Sequence, residues 1–181
     1  MKRYPKLFIT GTMRTGGSLL INLLSAHPKI LILNERVHFF RFIYNKYNPL
    51  NSENLEYLLN DQKLRLKYRK DINLKTNHLK SKIKSTELSY KNIYNEFMNY
   101  FMLNTQKKIW GEFAGLQWRE IPIFLDFFNE GKVIHMYRDP RAVLASWKKL
   151  SSIPNNAYLN CIFKNHIFLH KMQLANHNFF C

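Results

Sequence analysis

Apolar runs alternate with amphipathic stretches in the first part of the chain. Residues 7–10 form a short apolar run typical of a buried parallel strand, and residues 18–26 repeat leucine at helical spacing. We expect this helix to end at His27, because the residue before a proline is disfavoured in the helical region. Residues 29–33 predict a second short strand. If the two strands are parallel, the segment after the second lies at the same edge of the sheet as the turn after the first.

The same alternation continues along the rest of the chain. From residue 36 to about 104 the sequence is polar and aromatic, with helical patterns at residues 52–61 and 90–103. Strand and helix signals then return, and an apolar strand at residues 132–137 leads into another helix. Strands separated by helical crossovers indicate an α/β fold with a mainly parallel central sheet. A length of 181 residues with 46% hydrophobic residues suits a single domain over residues 1–181.

The chain is strongly basic, with 28 Lys+Arg against 12 Asp+Glu and a formal net charge of +16. Such a charge suits a nucleic acid, an anionic membrane surface or a polyanionic substrate. Here, however, the lysines accompany many Asn, Ile, Tyr and Phe residues. A coding preference of the source produces this composition as easily as selection for a binding partner does. We therefore expect no specific nucleic-acid partner. The most basic run, residues 63–85, is interpreted as a solvated surface, with a docking surface for an anionic molecule as the alternative.

Cysteine content and the terminal segments bear on the compartment. Cys161 and Cys181 are too few and too late in the chain for a disulfide framework or a zinc site, which favours a reducing compartment. The apolar stretch near the start is interrupted by Gly11 and Arg14, so it predicts neither a signal peptide nor a membrane span. We expect a cytoplasmic protein. After about residue 163 no cap or turn is evident, and we expect a domain that is incomplete at its C-terminus.

The turn after the first strand has the composition of a phosphate-binding loop. Residues 11–18, GTMRTGGS, match the pattern G-x-x-x-x-G-K-[ST] at both glycines and at the last hydroxyl, but carry Gly17 where the pattern has lysine. Glycines let the backbone approach a ligand, and the following helix presents N–H groups and its positive dipole end. Arg14 can supply the missing charge, and Thr15 and Ser18 add hydroxyls. An anion is the predicted occupant; the alternative is a tight turn with a surface arginine.

A second anion site is predicted where the strand at residues 132–137 ends. Arg138 follows the strand, Asp139 is a candidate N-cap, Pro140 takes the favoured first helical position, and Ser146 lies two turns into the helix. Ligands of open α/β sheets bind at the carboxyl ends of the strands, where this arginine stands. The alternative for Arg138 is a structural salt bridge. Two such sites on one sheet favour a ligand with two separated anionic groups.

The ordered pair of motifs, GTMRTGGSLL and VIHMYRDPRAVLASW, resembles the sulfotransferases that use 3′-phosphoadenosine 5′-phosphosulfate as donor. The resemblance spans roughly residues 6–150 and implies a P-loop-like three-layer α/β fold. It implies that Arg138 and Ser146 hold the 3′-phosphate of the donor. It also implies a set of residues that hold the 5′-phosphosulfate: Arg14, Thr15, Gly16, Gly17 and Ser18.

The resemblance further implies the catalytic residues. In the tyrosylprotein sulfotransferase branch the base is a glutamate after the second strand, in a segment that resembles ILNERVHFF, and Glu35 stands at the matching distance from Arg14. Arg14 would stabilise the charge that develops on the leaving phosphate. The alternative for Glu35 is an exposed glutamate at the start of a helix. The chain departs from the family pattern at Gly17, where relatives usually carry a hydroxyl residue, and at Phe113, where many carry lysine.

The expected reaction transfers the sulfuryl group to an acceptor hydroxyl. It needs no metal, because no metal ion has to bridge two phosphates. A carbohydrate, a peptide and a small alcohol all remain open as acceptors, and so does the oligomeric state. Two other functions also remain open. One is a P-loop kinase or NTPase with a degenerate phosphate loop, and the other is a noncatalytic truncated remnant.

Overall fold

The structure is a computed structural model that describes residues 6–34, 36–70 and 72–148, together with residues 159, 160, 162–164, 167 and 171. Its strands are β1 (Leu7–Gly11), β2 (Ile30–Asn34), β3 (Ile109–Gly115) and β4 (Lys132–Met136). Its helices are α1 (Gly17–Ala26), α2 (Phe39–Phe42), α3 (Ser52–Lys70), α4 (Thr76–Lys84), α5 (Tyr90–Met102), α6 (Ile121–Phe127) and α7 (Pro140–Lys148). A short 3₁₀ turn, Trp118–Glu120, precedes α6.

The four strands form one parallel sheet in the order β2-β3-β1-β4. Ile9 in β1 lies opposite Phe113 in β3 and Ile134 in β4, and Asn34 at the end of β2 lies opposite Phe113. The predicted α/β fold with a parallel central sheet is confirmed. Because all strands run the same way, the segments after β1, β2 and β4 meet at one edge of the sheet, which is where ligands of such sheets bind.

Both faces of the sheet carry packed apolar residues, which explains why its strands are mainly apolar. Successive side chains point to opposite faces, so Phe8 joins the large core under α3 to α6, whereas Ile9 joins a smaller cluster with Ile21 of α1. Phe8 and Ile9 are both fully buried. The helix predicted over residues 18–26 thus packs on the face of the sheet that carries Ile9, and the strand predicted over 29–33 contributes Ile32 to the same cluster.

The large core gathers the helices of the middle region against one face of the sheet. α3 buries Leu58 and Leu66, which lie about two turns apart on one side of the helix. It therefore continues well past the predicted range 52–61, because the basic continuation keeps an apolar residue at core spacing. Its lysines at positions 63, 67 and 70 are exposed, in agreement with a solvated face. α5 begins at a serine cap, where Ser89 Oγ accepts a hydrogen bond from the N–H of Asn92 at 3.3 Å.

None of the helices in the described part of the chain combines the length and the apolar character that a membrane span requires.

Candidate functional site

The turn between β1 and α1 is shaped to receive an anion. Gly11 packs so closely on β4 that a Cβ there would lie 2.7 Å from both the Cβ and the carbonyl oxygen of Met136. Gly16 adopts φ 100° and is the N-cap of α1, with no side-chain capping bond and no acidic residue in the first turn. The first N–H groups of α1 have no partner within the helix, and the positive end of the helix dipole lies beside the loop. Both features favour a bound phosphate or sulfate group.

Hydrogen bonds join the two predicted anion sites. The Nε of Arg14 donates to Ser146 Oγ at 2.9 Å, and Nη1 of Arg138 donates to the carbonyl oxygen of Arg14 at 3.2 Å. The partners stand 132 and 124 residues apart in sequence. They meet because β1 and β4 are neighbouring parallel strands, so the turns that follow them are adjacent. Arg14, Arg138 and Ser146 thus belong to one cluster at the edge of the sheet.

The predicted start of α7 is confirmed. Asp139 Oδ1 accepts a hydrogen bond from the N–H of Arg141 at 2.8 Å, as an N-cap aspartate does, and Pro140 is the first helical residue. Asp139 also forms an ion pair with Arg141 at 2.7 Å, and the hydrogen bonds from Arg141 lower the pKa of the aspartate to about 2. The carboxylate next to Arg138 in sequence is therefore committed to Arg141, and Arg138 turns to the phosphate loop.

The two hydroxyl residues predicted to hold the anion, Thr15 and Ser18, face different surroundings. Thr15 is buried, and its hydroxyl donates to the carbonyl oxygen of Thr12 at 2.7 Å, which closes the loop on itself. Ser18 in the first turn of α1 is exposed to solvent. Beside the loop lies a cleft of about 340 Å³, which is lined by loop residues together with Phe113, Leu116 and Trp147. A ligand held by the loop would therefore also meet an apolar wall.

Glu35, the predicted base, lies outside the described residues. Its two neighbours in sequence are both described. Asn34 ends β2 and pairs with Phe113 of β3, and the carbonyl oxygen of Arg36 accepts a hydrogen bond from Arg65 Nη2 at 3.1 Å. The same nitrogen donates to the carbonyl oxygen of Val37 at 2.8 Å. The chain on either side of Glu35 is thus tied to the body of the fold.

A buried carboxylate, that of Glu112, also binds the segment that follows Glu35. Glu112 in β3 is fully buried, and its Oε1 accepts a hydrogen bond from the N–H of His38 at 2.5 Å. Its Oε2 accepts one from the hydroxyl of Tyr94 in α5, also at 2.5 Å. Burial raises the pKa of Glu112 to about 7, against the lowering effect of the Tyr94 and His38 hydrogen bonds. Burial and the nearby carboxylate raise the pKa of Tyr94 well above its ordinary value.

His38 itself adopts a left-handed backbone conformation with φ 48°, which is uncommon for a residue other than glycine. Its ring nitrogen Nδ1 lies 2.8 Å from Nε2 of Gln117, and that amide nitrogen also donates to the carbonyl oxygen of Ala114 at 3.0 Å. Several independent contacts therefore over-determine the path of the chain after β2, as is typical of strained functional segments.

Sequence reasoning did not identify Glu112, Tyr94, Arg65 or His38. The sequence does contain one feature that could have pointed to Glu112. It is a charged residue between Trp110 and Phe113, in an otherwise apolar strand. That pattern does not reveal its partners, which come from two other elements of the fold.

A metal site is not evident in the part of the chain that the structure describes, where no three His, Cys, Asp or Glu residues come together.

Comparison with known protein families identifies a match for this chain. The profile described as the sulfotransferase family matches residues 5–177, which is most of the chain and includes both motifs and the segment after β2. No curated protein matches the chain.

Proposed function

Because the chain belongs to the sulfotransferase family, we propose that it transfers the sulfuryl group of 3′-phosphoadenosine 5′-phosphosulfate to an acceptor hydroxyl. Family membership supports sulfuryl transfer in general, and sulfotransferases generally use this donor. The choice of donor for this chain rests in addition on the site. The acceptor classes that fit the proposal are carbohydrates, tyrosine-bearing peptides and small alcohols.

The observation that carries the proposal is the contact between the two motifs. Arg14 of the phosphate loop donates through Nε to Ser146 of the second motif, next to the uncapped N-terminus of α1. A guanidinium group has five donors, so its remaining N–H groups can still face a ligand. A ligand that bears one anionic group on the loop and a second near Arg138 fits this cluster. The donor nucleotide has this arrangement in its 5′-phosphosulfate and 3′-phosphate groups.

Each part of the site has a proposed role in holding the donor. Arg138 and Ser146 bind the 3′-phosphate. Since the hydroxyl of Thr15 donates to Thr12 within the loop, Thr15 is proposed to contribute mainly its backbone N–H. The residues proposed to hold the 5′-phosphosulfate are Arg14, Thr15, Gly16, Gly17 and Ser18.

The order of the strands separates the phosphate loop from the segment that carries Glu35. Neighbouring strands lie about 4.8 Å apart, and β3 separates β1 from β2, so the ends of β1 and β2 are roughly 10 Å apart. The phosphate loop follows β1, and Glu35 follows β2. An acceptor hydroxyl placed above the end of β3 can therefore face the donor sulfur on one side and the glutamate on the other.

In this mechanism a bond forms between the acceptor oxygen and sulfur while the bond between sulfur and the 5′-phosphate oxygen breaks. Glu35 takes the proton of the acceptor hydroxyl. The electron pair of the broken bond stays on the phosphate, where Arg14 and the N-terminus of α1 stabilise the added charge. Adenosine 3′,5′-bisphosphate and a sulfated acceptor are the products. Positioned base catalysis is typically worth about 10² to 10⁴-fold in rate.

Ligand-induced stabilisation tests the proposal. The full chain is heated with adenosine 3′,5′-bisphosphate, with ATP plus Mg²⁺ and without ligand, and the first arm is repeated with EDTA. We expect stabilisation by the bisphosphate that survives EDTA, followed by transfer from radiolabelled donor to at least one of a disaccharide, a tyrosine-bearing peptide and a phenol. Stabilisation by ATP alone with a strict Mg²⁺ requirement would instead support a kinase or NTPase. Bisphosphate binding without any transfer would support a noncatalytic protein.

A further inference from the structure

The carboxylate of Glu112 connects three separate parts of the fold. Glu112 lies in β3, its Oε1 accepts from the N–H of His38 just after β2, and its Oε2 accepts from the hydroxyl of Tyr94 in α5. These partners stand 74 and 18 residues away in sequence. Both oxygens are engaged, and the whole residue is buried. The contact therefore fixes the backbone after β2 to the middle of the sheet.

Arg65 forms a second anchor for the same segment. Nη2 of Arg65 in α3 donates to the carbonyl oxygens of Arg36 and Val37 at 3.1 and 2.8 Å, and the guanidinium lies 4.5 Å from the centre of the Phe42 ring. Residues 36–38 are thus held through their carbonyl groups by Arg65 and through an amide by Glu112. Glu35 immediately precedes them.

Stability alone does not account for a carboxylate at this place. A buried charge costs free energy unless its geometry compensates, and well-packed apolar residues often replace buried ionic groups without loss of stability. Tyr94, which donates to Glu112, is itself stacked on Phe39, with ring centres 4.2 Å apart. An apolar residue could fill this space, but it could not accept the two hydrogen bonds that determine the path of the chain.

We propose that Glu112 is a positioning residue for sulfuryl transfer, because its hydrogen bonds to His38 and Tyr94 set the backbone path of the segment that directly follows Glu35. The inference rests on the proposed function, since it takes Glu35 as the base that activates the acceptor. Glu112 does not touch the donor in this proposal. Its loss acts on the acceptor side, through the placement of the base.

The proposal implies a dependence on pH. The ionised carboxylate accepts both hydrogen bonds, whereas protonation turns one oxygen into a donor and weakens the anchor. Two titratable or charged side chains face Glu112, Tyr94 from α5 and Arg65 from α3. His38, a third titratable residue, reaches Glu112 through its backbone N–H. Because the pKa of Glu112 is raised to about 7, the acid limb of the transfer rate is expected near neutrality.

The test compares Glu112→Gln and Tyr94→Phe with the matched control Tyr90→Phe. Tyr90 lies on the same helix α5, and its ring also contacts Phe39. Its hydroxyl, however, donates to Asn48 Oδ1 and accepts from the N–H of Tyr47, so Tyr90→Phe removes no hydrogen bond to residues 36–39. Hydrogen exchange of the amides of residues 36–39 is measured in the full chain at pH 8. Titration with adenosine 3′,5′-bisphosphate reports donor binding, and transfer to the disaccharide, peptide and phenol reports catalysis.

We expect exchange at residues 36–39 to rise about tenfold or more in Glu112→Gln and Tyr94→Phe, and to change little in Tyr90→Phe. The dissociation constant for the bisphosphate should stay within about twofold, while kcat falls about tenfold and the acid limb moves to lower pH in Glu112→Gln. Unchanged exchange in both variants, or an equal rise in Tyr90→Phe, would overturn the proposal. So would normal kcat despite raised exchange.

The exchange measurement also separates this proposal from the proposed function. If the wild-type protein transfers to none of the acceptors, the proposed function fails. A local rise in exchange in the two variants would then still support the anchor of the backbone, and its absence would still overturn it. If Glu112→Gln does not fold, Tyr94→Phe removes one of the two hydrogen bonds and keeps the carboxylate.

Discussion

The ring of Phe113 occupies the space that any side chain on residue 17 would need. A Cβ built on Gly17 would lie 2.7 Å from Cζ and 2.8 Å from Cε2 of Phe113, closer than carbon atoms approach without displacement. The two residues stand on α1 and β3, and both line the cleft beside the phosphate loop. The two departures from the family pattern, at Gly17 and at Phe113, are therefore one structural feature.

This contact predicts that substitutions at the two positions are coupled. Gly17→Ser alone should lower the free energy of unfolding by about 1 to 3 kcal/mol, as other overpacked sites do, because the ring of Phe113 has to move. In the Phe113→Ala background the same Gly17→Ser substitution should cost much less, because the ring is no longer there to be displaced. Denaturant unfolding of the two single variants and the double variant measures the coupling, with the exposed Ser18→Ala as control. Strictly additive costs would show that the ring and residue 17 do not share this space.

A second prediction concerns Arg138 and the 3′-phosphate. Arg138→Ala should weaken binding of adenosine 3′,5′-bisphosphate by about tenfold or more, because a charge-assisted hydrogen bond is lost. Binding of adenosine 5′-phosphate, which lacks the 3′-phosphate, should change much less. Calorimetric titration of both nucleotides measures the difference. Arg141→Ala is the matched control, because Arg141 is a neighbouring arginine that pairs with Asp139. Equal weakening of both nucleotides would exclude the assignment of Arg138 to the 3′-phosphate.

The elements of the sheet could be predicted because their physical cause is local. These strands are short, mainly apolar runs, and the predicted ranges 7–10, 29–33 and 132–137 agree with β1, β2 and β4 to within one residue at each end. Proline and glycine likewise mark the starts of α7 and α1. The prediction for α3 stopped too early because lysine and arginine dilute its apolar spacing, although Leu66 continues it.

The motif residues could be selected from the sequence as candidates for the site, but the contacts that position them could not be predicted. Spacing predicts that Arg14 and Arg138 are anion ligands, and the order β3-β1-β4 shows why the two residues meet. The contact of Glu112 with Tyr94 and His38 is still further from the sequence, since it depends on how α5 and the segment after β2 pack on one strand. Nothing in the residues next to the glutamate encodes those partners.

The third prediction is a pH dependence of stability caused by Glu112. Its pKa is raised from an ordinary value of 4.5 to about 7, so the folded state binds more protons than the unfolded state between these values. The free energy of unfolding should therefore fall as the pH rises from about 4.5 to 7, by at most roughly 3 kcal/mol, and then level off. Denaturant unfolding at a series of pH values in the wild type and in Glu112→Gln measures this contribution.

The variant should flatten the curve in that window. Glu120, whose pKa burial also raises, acts in the same direction and remains as a residual slope. Asp139 acts in the opposite direction but in a more acidic window, because its pKa is lowered from 3.8 to about 2 and its contribution is lost only as the pH falls through that range. A wild-type curve and a Glu112→Gln curve of the same shape would show that this carboxyl does not titrate in the window.

The last prediction is that Glu35 activates the acceptor. A base acts on the acceptor hydroxyl and not on the nucleotide, so Glu35→Gln should leave the binding of adenosine 3′,5′-bisphosphate nearly unchanged. Transfer from the donor should fall by about 10² or more, as expected when a positioned general base loses its proton affinity. Glu53→Gln is the matched control, because Glu53 is a glutamate in the first turn of a helix, α3. Such a residue contributes only about 0.3 to 1 kcal/mol through the helix dipole, and its substitution should leave the rate near that of the wild type. If Glu35→Gln behaves like Glu53→Gln, Glu35 is a surface glutamate, and the base has to be sought among the other residues that follow β2.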